Sequence, residues 1–305
     1  MARFDLVAVI GPTASGKTAF AAHFAKEVDG EIISADSRQV YRNMNLGTGK
    51  DYHDYVINNI KIPYHLIDIA EPGYKYNIFE FQKDFNKAYQ EIRSRGKLPV
   101  LCGGSGLYIQ TVIRQYRLLP VPIDPGLHRD LANKSLDELT DLLVSLKTLH
   151  NRTDTDTKEH AIRAIEIEHY TRKYPEIIEE RSPMEILYLG IRYDRSEERL
   201  RITQRLHARL KQGLVEEVKM LLENGLSPEK LIYYGLEYKY VTQYLTGLLT
   251  YEDMVNKLNT AINQFAKRQM TWFRKMEREG ADIHWIDASL PMKEKIRIAL
   301  QFGLL

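Results

Sequence analysis

Cysteine and long apolar runs are scarce in this sequence, and both shortages exclude classes of protein. The 305 residues contain one cysteine, Cys102, so an internal disulfide and a cysteine-based zinc site are excluded. Nothing calls for an oxidising compartment, and we expect a cytoplasmic location. The longest uncharged stretch, residues 98–113, is interrupted by glycines and is shorter than the roughly 20 apolar residues that cross a bilayer. The sequence therefore predicts no membrane association and no export signal.

The net charge is also small. Lys and Arg number 43 and Asp and Glu 41, and the resulting +2 neither favours nor excludes a nucleic-acid partner. Basic residues are nevertheless concentrated in residues 192–211, with seven basic and three acidic side chains, and in residues 257–278, with six and one. A basic run is most often a solvated helix face, but two of them can also frame a groove for an RNA backbone.

The first hundred residues alternate short apolar runs with helical patterns, which is typical of a parallel α/β sheet. The predicted strands are residues 4–10, 31–34, 65–69 and 98–102. Helical spacing of apolar residues predicts helices at residues 17–28 and 79–95. The fold class is therefore α/β, a parallel sheet flanked by helices.

Prolines mark a change of pattern after this region. Pro120, Pro122 and Pro125 indicate a boundary, and the chain reads as helical from there to about residue 183. We predict a core formed by residues 1–118 and 184–305, with residues 119–183 as an inserted helical subdomain. In the second half of the core we predict a strand at 185–191 and helices at 197–223, interrupted at Gly213, and at 251–278.

A phosphate-binding motif follows the first predicted strand. The pattern G-x-x-x-x-G-K-[ST] is formed by Gly11, Pro12, Thr13, Ala14, Ser15, Gly16, Lys17 and Thr18. Backbone N–H groups of such a loop face phosphate, the lysine adds a mobile positive charge, and the Thr18 hydroxyl is a ligand for Mg²⁺. The fold is therefore of P-loop type. Because P-loops serve hydrolases, kinases and transferases, the motif identifies a ligand group and not a reaction.

Polar residues follow two other predicted strands and should reach the same edge of the sheet. Asp36 offers a carboxylate that either holds Mg²⁺ through water or takes a proton, the alternative being an Asx turn or helix cap. Ser105 lies in a glycine-rich turn whose alternative role is purely structural. Asp68 resembles a Walker B acid, but we predict a strand-end turn there. The neighbours of Asp36 on this edge are Ser37, Arg38 and Gln39.

Together these motifs resemble those of one family, the bacterial tRNA dimethylallyltransferases (tRNA isopentenyltransferases). The matching segments run in family order along most of the chain: residues 11–18, 33–42, 46–50, 103–108, 163–166, 213–218 and 267–274. The phrases Asp-Ser-x-Gln-Val-Tyr from Asp36 and Lys-Arg-Gln-x-Thr-Trp-Phe-Arg from Lys267 are the distinctive ones.

The resemblance implies a reaction and a set of roles. The family moves a dimethylallyl group from dimethylallyl diphosphate to N6 of the adenosine 3′ of the anticodon in tRNA, releasing diphosphate. It implies that residues 11–18 hold the diphosphate, that Asp36, Lys17 and Ser105 are catalytic, and that Mg²⁺ is bound by Thr18. We expect a monomer whose partner is the anticodon stem-loop of tRNA. The implied tRNA-binding residues are Asp36, Ser37, Arg38, Gln39, Arg163, Tyr238, Lys239, Lys267, Arg268, Gln269 and Arg274.

Two alternatives remain open, and the chain departs from the family pattern in places. In the first alternative the acceptor of the dimethylallyl group is a free adenine nucleotide, and in the second the protein is a P-loop kinase of a small molecule. The helical insertion and residues 267–274 favour RNA as the acceptor. Glu237 stands where members carry glycine, and Asn263 and His160 stand where they carry arginine. Asp156-Thr157 replaces Asn-Asp before the arginine helix of the insertion. Lost positive charge lowers the expected affinity for RNA.

Overall fold

The computed structural model describes residues 4–115, 121–149, 153–174 and 183–303. The chain forms two compact units, one from Met1–Tyr116 with Pro183–Leu305 and the other from Arg117–Ser182. These limits lie one or two residues from the division expected from the prolines. Pro120 itself lies outside the described residues.

The first unit is built on a sheet of parallel strands. Its strand order is β5-β2-β6-β1-β7-β8, with every neighbouring pair parallel. The strands are β1 (Leu6–Ile10), β2 (Gly30–Ser34), β3 (Val56–Ile57), β4 (Ile60–Lys61), β5 (Tyr64–His65), β6 (Leu98–Gly103), β7 (Ile186–Arg192) and β8 (Ile283–Asp287), of which β3 and β4 form a separate antiparallel ribbon. The predicted α/β class is confirmed. Since β1 lies between β6 and β7, the loops that leave these strands meet at one edge.

Helices of the first unit cover both faces of this sheet. The α-helices of the described residues are α1 (Lys17–Glu27), α2 (Ile78–Ser94), α3 (Gly106–Ile113), α4 (Pro125–Ala132), α5 (Leu136–Leu146), α6 (Lys158–Lys173), α7 (Arg195–Lys211), α8 (Leu214–Glu223), α9 (Pro228–Tyr233), α10 (Leu236–Leu245), α11 (Tyr251–Arg278) and α12 (Met292–Leu300), with α4 to α6 in the second unit. In β1, Leu6, Ala8 and Ile10 join the core with α2, α3, α7, α8, α10 and α11. Val7 and Val9 point to the opposite face and join the core with α1 and α12. Because successive side chains of β1 point to opposite faces of the sheet, this strand contributes residues to both cores.

The second unit has a small core of its own. Leu131, Leu139, Leu143 and Ile165 pack together from α4, α5 and α6. The Thr157 hydroxyl accepts a hydrogen bond from the His160 N–H at 3.2 Å and caps α6. The family departure at Thr157 therefore has a local structural role as a helix cap.

One predicted strand differs from the structure. The prediction of a strand at 65–69 is wrong in extent, because the observed strand β5 ends at His65. The chain then turns, with positive φ at Leu66 (62°) and Asp68 (57°). Asp68 forms an ion pair with Lys50 at 2.5 Å, and burial lowers the pKa of that lysine. The break at Gly213 is confirmed; its φ is 103°, between α7 and α8. Among the described residues no helix is long and apolar enough to cross a membrane.

Candidate active site

The P-loop connects β1 to α1 in a conformation that leaves backbone N–H groups unused. Gly16, which precedes α1, has φ 75°, and the helix has neither a capping side chain nor an acidic residue in its first turn. Such a helix start carries free N–H donors and the positive end of the helix dipole. The buried Ser15 hydroxyl also has no hydrogen-bond partner among the described residues. The loop is therefore suited to an anion.

Two cationic side chains, Lys17 and Arg205, form hydrogen bonds with residues of this loop. Lys17 donates to the Pro12 carbonyl at 3.3 Å, and burial lowers the pKa of its ammonium group. Arg205, from α7, donates to the hydroxyl of Thr13, and burial lowers the pKa of Arg205 to about 10. A buried cation is costly unless an opposite charge accompanies it. An anion bound to the loop would supply that charge.

Asp36 lies just after the end of β2. Together with residues of the P-loop it lines one cavity. Its Oδ1 accepts a hydrogen bond from the Arg38 N–H at 2.9 Å, which is the Asx turn considered above. No described residue donates to its Oδ2. The Ser37 N–H donates to Ser105 Oγ at 3.3 Å and so joins this loop to the glycine-rich turn. The turn fixes the carboxyl group while leaving one oxygen for a ligand.

Three residues with a predicted tRNA contact are buried in the protein without RNA, and each has a partner within the fold. Gln269 is 7% exposed; its Oε1 accepts from the Thr13 N–H and its Nε2 donates to the Gly104 carbonyl, both at 2.8 Å. It therefore braces the P-loop against the glycine-rich turn. Gln39 is 8% exposed and donates to the Gly49 carbonyl at 3.1 Å. Tyr238 is fully buried.

Glu217 explains the burial of Tyr238 and supports one wall of the cavity. Its carboxylate accepts hydrogen bonds from the N–H groups of Asn45, Leu46 and Gly47 at 2.8–3.0 Å and from the Tyr238 hydroxyl at 2.7 Å. Residues 47–49 line the cavity. One partly buried side chain thus holds residues 45–47 in place.

We expect Glu217→Ala to lower the free energy of unfolding by about 3 kcal/mol, because it leaves three partly buried N–H donors and the Tyr238 hydroxyl without an acceptor. Tyr238→Phe is the matched control, which removes one donor and should cost about 1 kcal/mol. Urea unfolding followed by circular dichroism measures both. Equal losses in the two variants would show that the carboxylate does not hold the loop.

A cavity of about 970 Å³ brings most of the predicted site together. It is lined by the predicted residues Thr13, Ala14, Gly16, Lys17, Thr18, Asp36, Ser37, Arg38, Gln39, Ser105, Lys239, Arg268 and Gln269. Gly11, Pro12 and Ser15 are buried within the loop itself. The aromatic side chains of Tyr233, Phe265 and Trp272 complete the walls.

The predicted residues of α11 divide between two faces of that helix. Phe265, Arg268, Gln269 and Trp272 recur at three- and four-residue spacing and face the cavity. Lys267 and Arg274, seven residues apart, line a separate groove. Arg163 belongs to the second unit, where it donates to the Glu166 carboxylate at 3.0 Å and the Val121 carbonyl at 2.6 Å.

Six charged residues that line the cavity were not among the predicted site residues: Asp51, Asp54, Arg201, Arg205, Arg209 and Glu237. Arg201, Arg205 and Arg209 project from one face of α7 and line it. Their four-residue spacing within a basic stretch was the available signal. Glu237 also lines the cavity; burial raises the pKa of its carboxyl group, and the charges of Arg209 and Arg205 oppose that shift.

A divalent metal fits this cavity only together with a phosphate ligand. No group of three or more His, Cys, Asp or Glu side chains is placed to hold a metal ion within the described residues. The Thr18 hydroxyl and the Asp36 carboxylate nevertheless line the cavity beside the P-loop. Mg²⁺ typically binds through one or two protein oxygens, substrate phosphates and water. The donor set suits Mg²⁺ carried in with a diphosphate.

Comparison with known proteins places the chain in a family. The family model described as IPP transferase matches residues 39–276, and that described as isopentenyl transferase matches residues 4–62. The chain is 60% identical over 303 residues to tRNA dimethylallyltransferase 2 of Bacteroides fragilis, covering 99% of this chain and 98% of the relative. It is 56% identical over 301 residues to tRNA dimethylallyltransferase 1 of Parabacteroides distasonis, covering 99% and 98%.

Solved structures agree with this placement. The full-length tRNA isopentenylpyrophosphate transferase of Bacillus halodurans superposes with a TM-score of 0.71 at 32% identity, covering 97% of this chain and 94% of that one. A eukaryotic dimethylallyltransferase acting on tRNA shares the fold, with a TM-score of 0.76 at 23% identity over 93% of this chain and 73% of that one. The chain therefore belongs to the IPP transferase family of tRNA dimethylallyltransferases and is a prenyltransferase.

Proposed function

We propose that the protein transfers the dimethylallyl group of dimethylallyl diphosphate to N6 of the adenosine 3′ of the anticodon in tRNA. The observation that carries this function is one cavity in which an uncapped P-loop helix, two partly buried cations and the Asp36 carboxylate all meet. Its volume of about 970 Å³ accommodates both a diphosphate with a five-carbon chain and a purine base.

The P-loop end of the cavity binds the leaving group. The free N–H groups at the start of α1, with Lys17 and Arg205, surround the position of the diphosphate. Negative charge grows on the diphosphate oxygen as the C–O bond breaks, and fixed donors stabilise that charge. Mg²⁺, held by the Thr18 hydroxyl and the diphosphate, would supply further neutralisation. The P-loop thus stabilises the departing diphosphate.

The opposite wall serves the acceptor. A bond forms between N6 and C1 of the dimethylallyl group while the C1–O bond to diphosphate breaks, and the N6 proton passes to Asp36. The Arg38 guanidinium lies 4.9 Å from the centre of the Tyr233 ring, and both line the cavity. Aromatic and guanidinium faces are the surfaces on which unstacked bases pack. A target adenosine must leave its stack to reach Asp36.

Surface cations around the cavity supply the proposed tRNA contacts. Arg38, Lys239 and Arg268 line it and leave charge for RNA phosphates, with Ser37 beside them. Arg163, in the helical unit, is proposed as a further contact. Lys267 and Arg274 lie on the other face of α11 and line a separate groove.

A transfer assay tests the function and its alternatives. Radiolabelled dimethylallyl diphosphate and Mg²⁺ are incubated with bulk tRNA or with AMP, and a parallel reaction follows the γ-phosphate of ATP. Label is expected in tRNA, at an adenosine beside the anticodon, with little ATP turnover. Label in AMP alone would establish the free-nucleotide reaction, and phosphate transfer without prenyl transfer would establish a kinase. Label in neither acceptor contradicts the proposal.

A further inference from the structure

A second groove lies beside the catalytic cavity and has no role in the mechanism above. Its volume is about 1030 Å³, and its walls come from the first turns of α7, from α11 and from the ends of β7 and β8. Five cations line it, with three acids among them. The cations are Arg192, Arg195, Arg199, Lys267 and Arg274, and the acids are Asp194, Glu198 and Asp287.

The acids of this groove leave its cations uncompensated. Asp194 accepts hydrogen bonds from the N–H groups of Ser196 and Glu197 at 2.8 and 3.0 Å, and Asp287 accepts from that of Ser289 at 2.9 Å. Both therefore cap or turn their own backbone. Among the described residues no carboxylate forms an ion pair with any of the five cations. Arg192 lies over the Trp285 ring, 4.8 Å from its centre, and Glu198 faces the charges of Arg195 and Arg199. Five cations against three acids still leave the groove with an excess of positive charge.

Two of these cations occupy unfavourable positions on their own helix. Arg195 is the first residue of α7 and Arg199 lies one turn further on. The start of a helix is the positive end of its dipole, where cations are repelled and anions are attracted. The same turn carries Glu197 and Glu198, and an anion bound between the two arginines and α11 would stabilise them further.

The groove adjoins the catalytic cavity through shared helices. On α7, Arg199 faces the groove and Arg201 faces the cavity; on α11, Lys267 and Arg268 divide in the same way. A strand whose target base enters the cavity has its neighbouring phosphates within reach of the groove. We propose that this groove binds the ribose-phosphate backbone of the RNA strand adjoining the modified adenosine, an inference that rests on the proposed function.

Glu198 gives the groove a hydrogen-bond acceptor as well as cations. Its Oε1 is buried and has no hydrogen-bond partner among the described residues. A carboxylate repels phosphate but accepts from hydroxyl and amino groups. Because Oε1 is inaccessible in the protein without RNA, the Glu198 side chain must turn toward the groove to accept from a neutral donor of the bound nucleotide, a ribose 2′-hydroxyl or a base amino group.

The cations are tested with the double variant Arg195→Ala/Arg199→Ala. Fluorescence anisotropy measures binding of a labelled anticodon stem-loop RNA to the full chain from about 50 to 200 mM salt. Losing two single-strand phosphate contacts lowers the slope of log affinity against log salt by about 1.4, so the Kd ratio of variant to wild type shrinks about sevenfold across this range. KM for dimethylallyl diphosphate should not change. Lys83→Ala/Lys87→Ala is the matched control, since both lysines are exposed on α2 and away from either cavity.

The outcomes separate this inference from the proposed function. An unchanged salt slope in the groove variant, with wild-type protein that binds and modifies RNA, overturns the groove alone. An equal change in the Lys83/Lys87 control also overturns it, because the effect is then general charge. Wild-type protein that modifies no RNA overturns the proposed function instead.

Glu198→Ala distinguishes charge repulsion from hydrogen bonding, because losing each of them changes RNA affinity in the opposite direction. Simple charge repulsion predicts that removing this carboxylate tightens RNA binding, whereas loss of an acceptor weakens it. We expect binding to weaken several-fold with an unchanged salt slope, and Glu223→Ala, an exposed acid of α8, to have no effect. With an all-deoxy stem-loop the penalty disappears if the donor is the 2′-hydroxyl and persists if it is a base amino group. Unchanged or tighter RNA binding overturns the role of Glu198.

Discussion

Replacing Asp36 by asparagine should lower kcat for dimethylallyl transfer about 10²- to 10⁴-fold, the usual contribution of a general base. The carboxyl Oδ1 accepts from the Arg38 N–H, and an asparagine side-chain oxygen accepts equally well. The Asx turn, the loop and the cavity wall should therefore persist. The lost property is the ability of the second oxygen to take the N6 proton. Transfer to tRNA under single-turnover conditions measures the chemical step directly.

Asp36→Ala is the companion variant, because it removes both the turn and the base. If Asp36 were only a turn former, asparagine would restore most of the activity that alanine loses. We expect both variants to lose transfer alike, while the asparagine variant keeps wild-type affinity for the stem-loop RNA. Equal losses of RNA affinity and rate in the asparagine variant would make Asp36 a structural residue.

The P-loop and the position of Asp36 at the edge of the sheet were predictable, because the sequence patterns that indicate them are local and the sheet topology is simple. A glycine pattern between a strand and a helix fixes the loop, and parallel strands deliver their carboxyl ends to one edge. Lys17, Asp36 and Ser105 accordingly line one cavity. Neither the loop pattern nor the strand order depends on how distant helices pack.

Side-chain direction on the distant helices was not predictable in the same way. Gln269 and Tyr238 are polar residues in motifs that resemble RNA contacts, yet each is buried with a partner from another part of the fold. The choice between solvent and core depends on partners more than a hundred residues away for Gln269 and on the loop held by Glu217 for Tyr238. Periodicity locates such residues on a helix without choosing the face that meets the cavity.

Arg205 and β8 show two further limits. Arg205 belongs to a basic stretch that reads as a solvated helix face, and only the packing of α7 over the P-loop brings it to Thr13. The edge strand β8 mixes buried Ile283 and Ile286 with polar residues, so its pattern was too short and too irregular to predict. Its pairing with β7 is what makes it a strand.

Replacing Lys17 by methionine should reduce kcat/KM for dimethylallyl diphosphate about 10²- to 10³-fold, as expected for the loss of one fixed donor to a growing negative charge. Methionine keeps much of the length of the side chain and removes the charge. Burial already lowers the pKa of Lys17 in the substrate-free protein, whereas a bound diphosphate favours the charged ammonium. Binding of the donor therefore takes up a proton whenever the pH lies above the lowered pKa of the free lysine.

The sign of the pH dependence follows from this linkage. The attraction between Lys17 and diphosphate is complete while the ammonium is charged and is lost as the pH rises through its lowered pKa, so kcat/KM should fall at a pH below the ordinary lysine value of 10.5. Arg205, whose pKa burial lowers to about 10, contributes a separate fall. Lys17→Met should abolish the fall that belongs to Lys17 and leave that of Arg205, whereas Lys83→Met, at an exposed position of α2, should retain both. A variant that keeps the wild-type profile would assign the titration to another group, because only the charge of residue 17 has been removed.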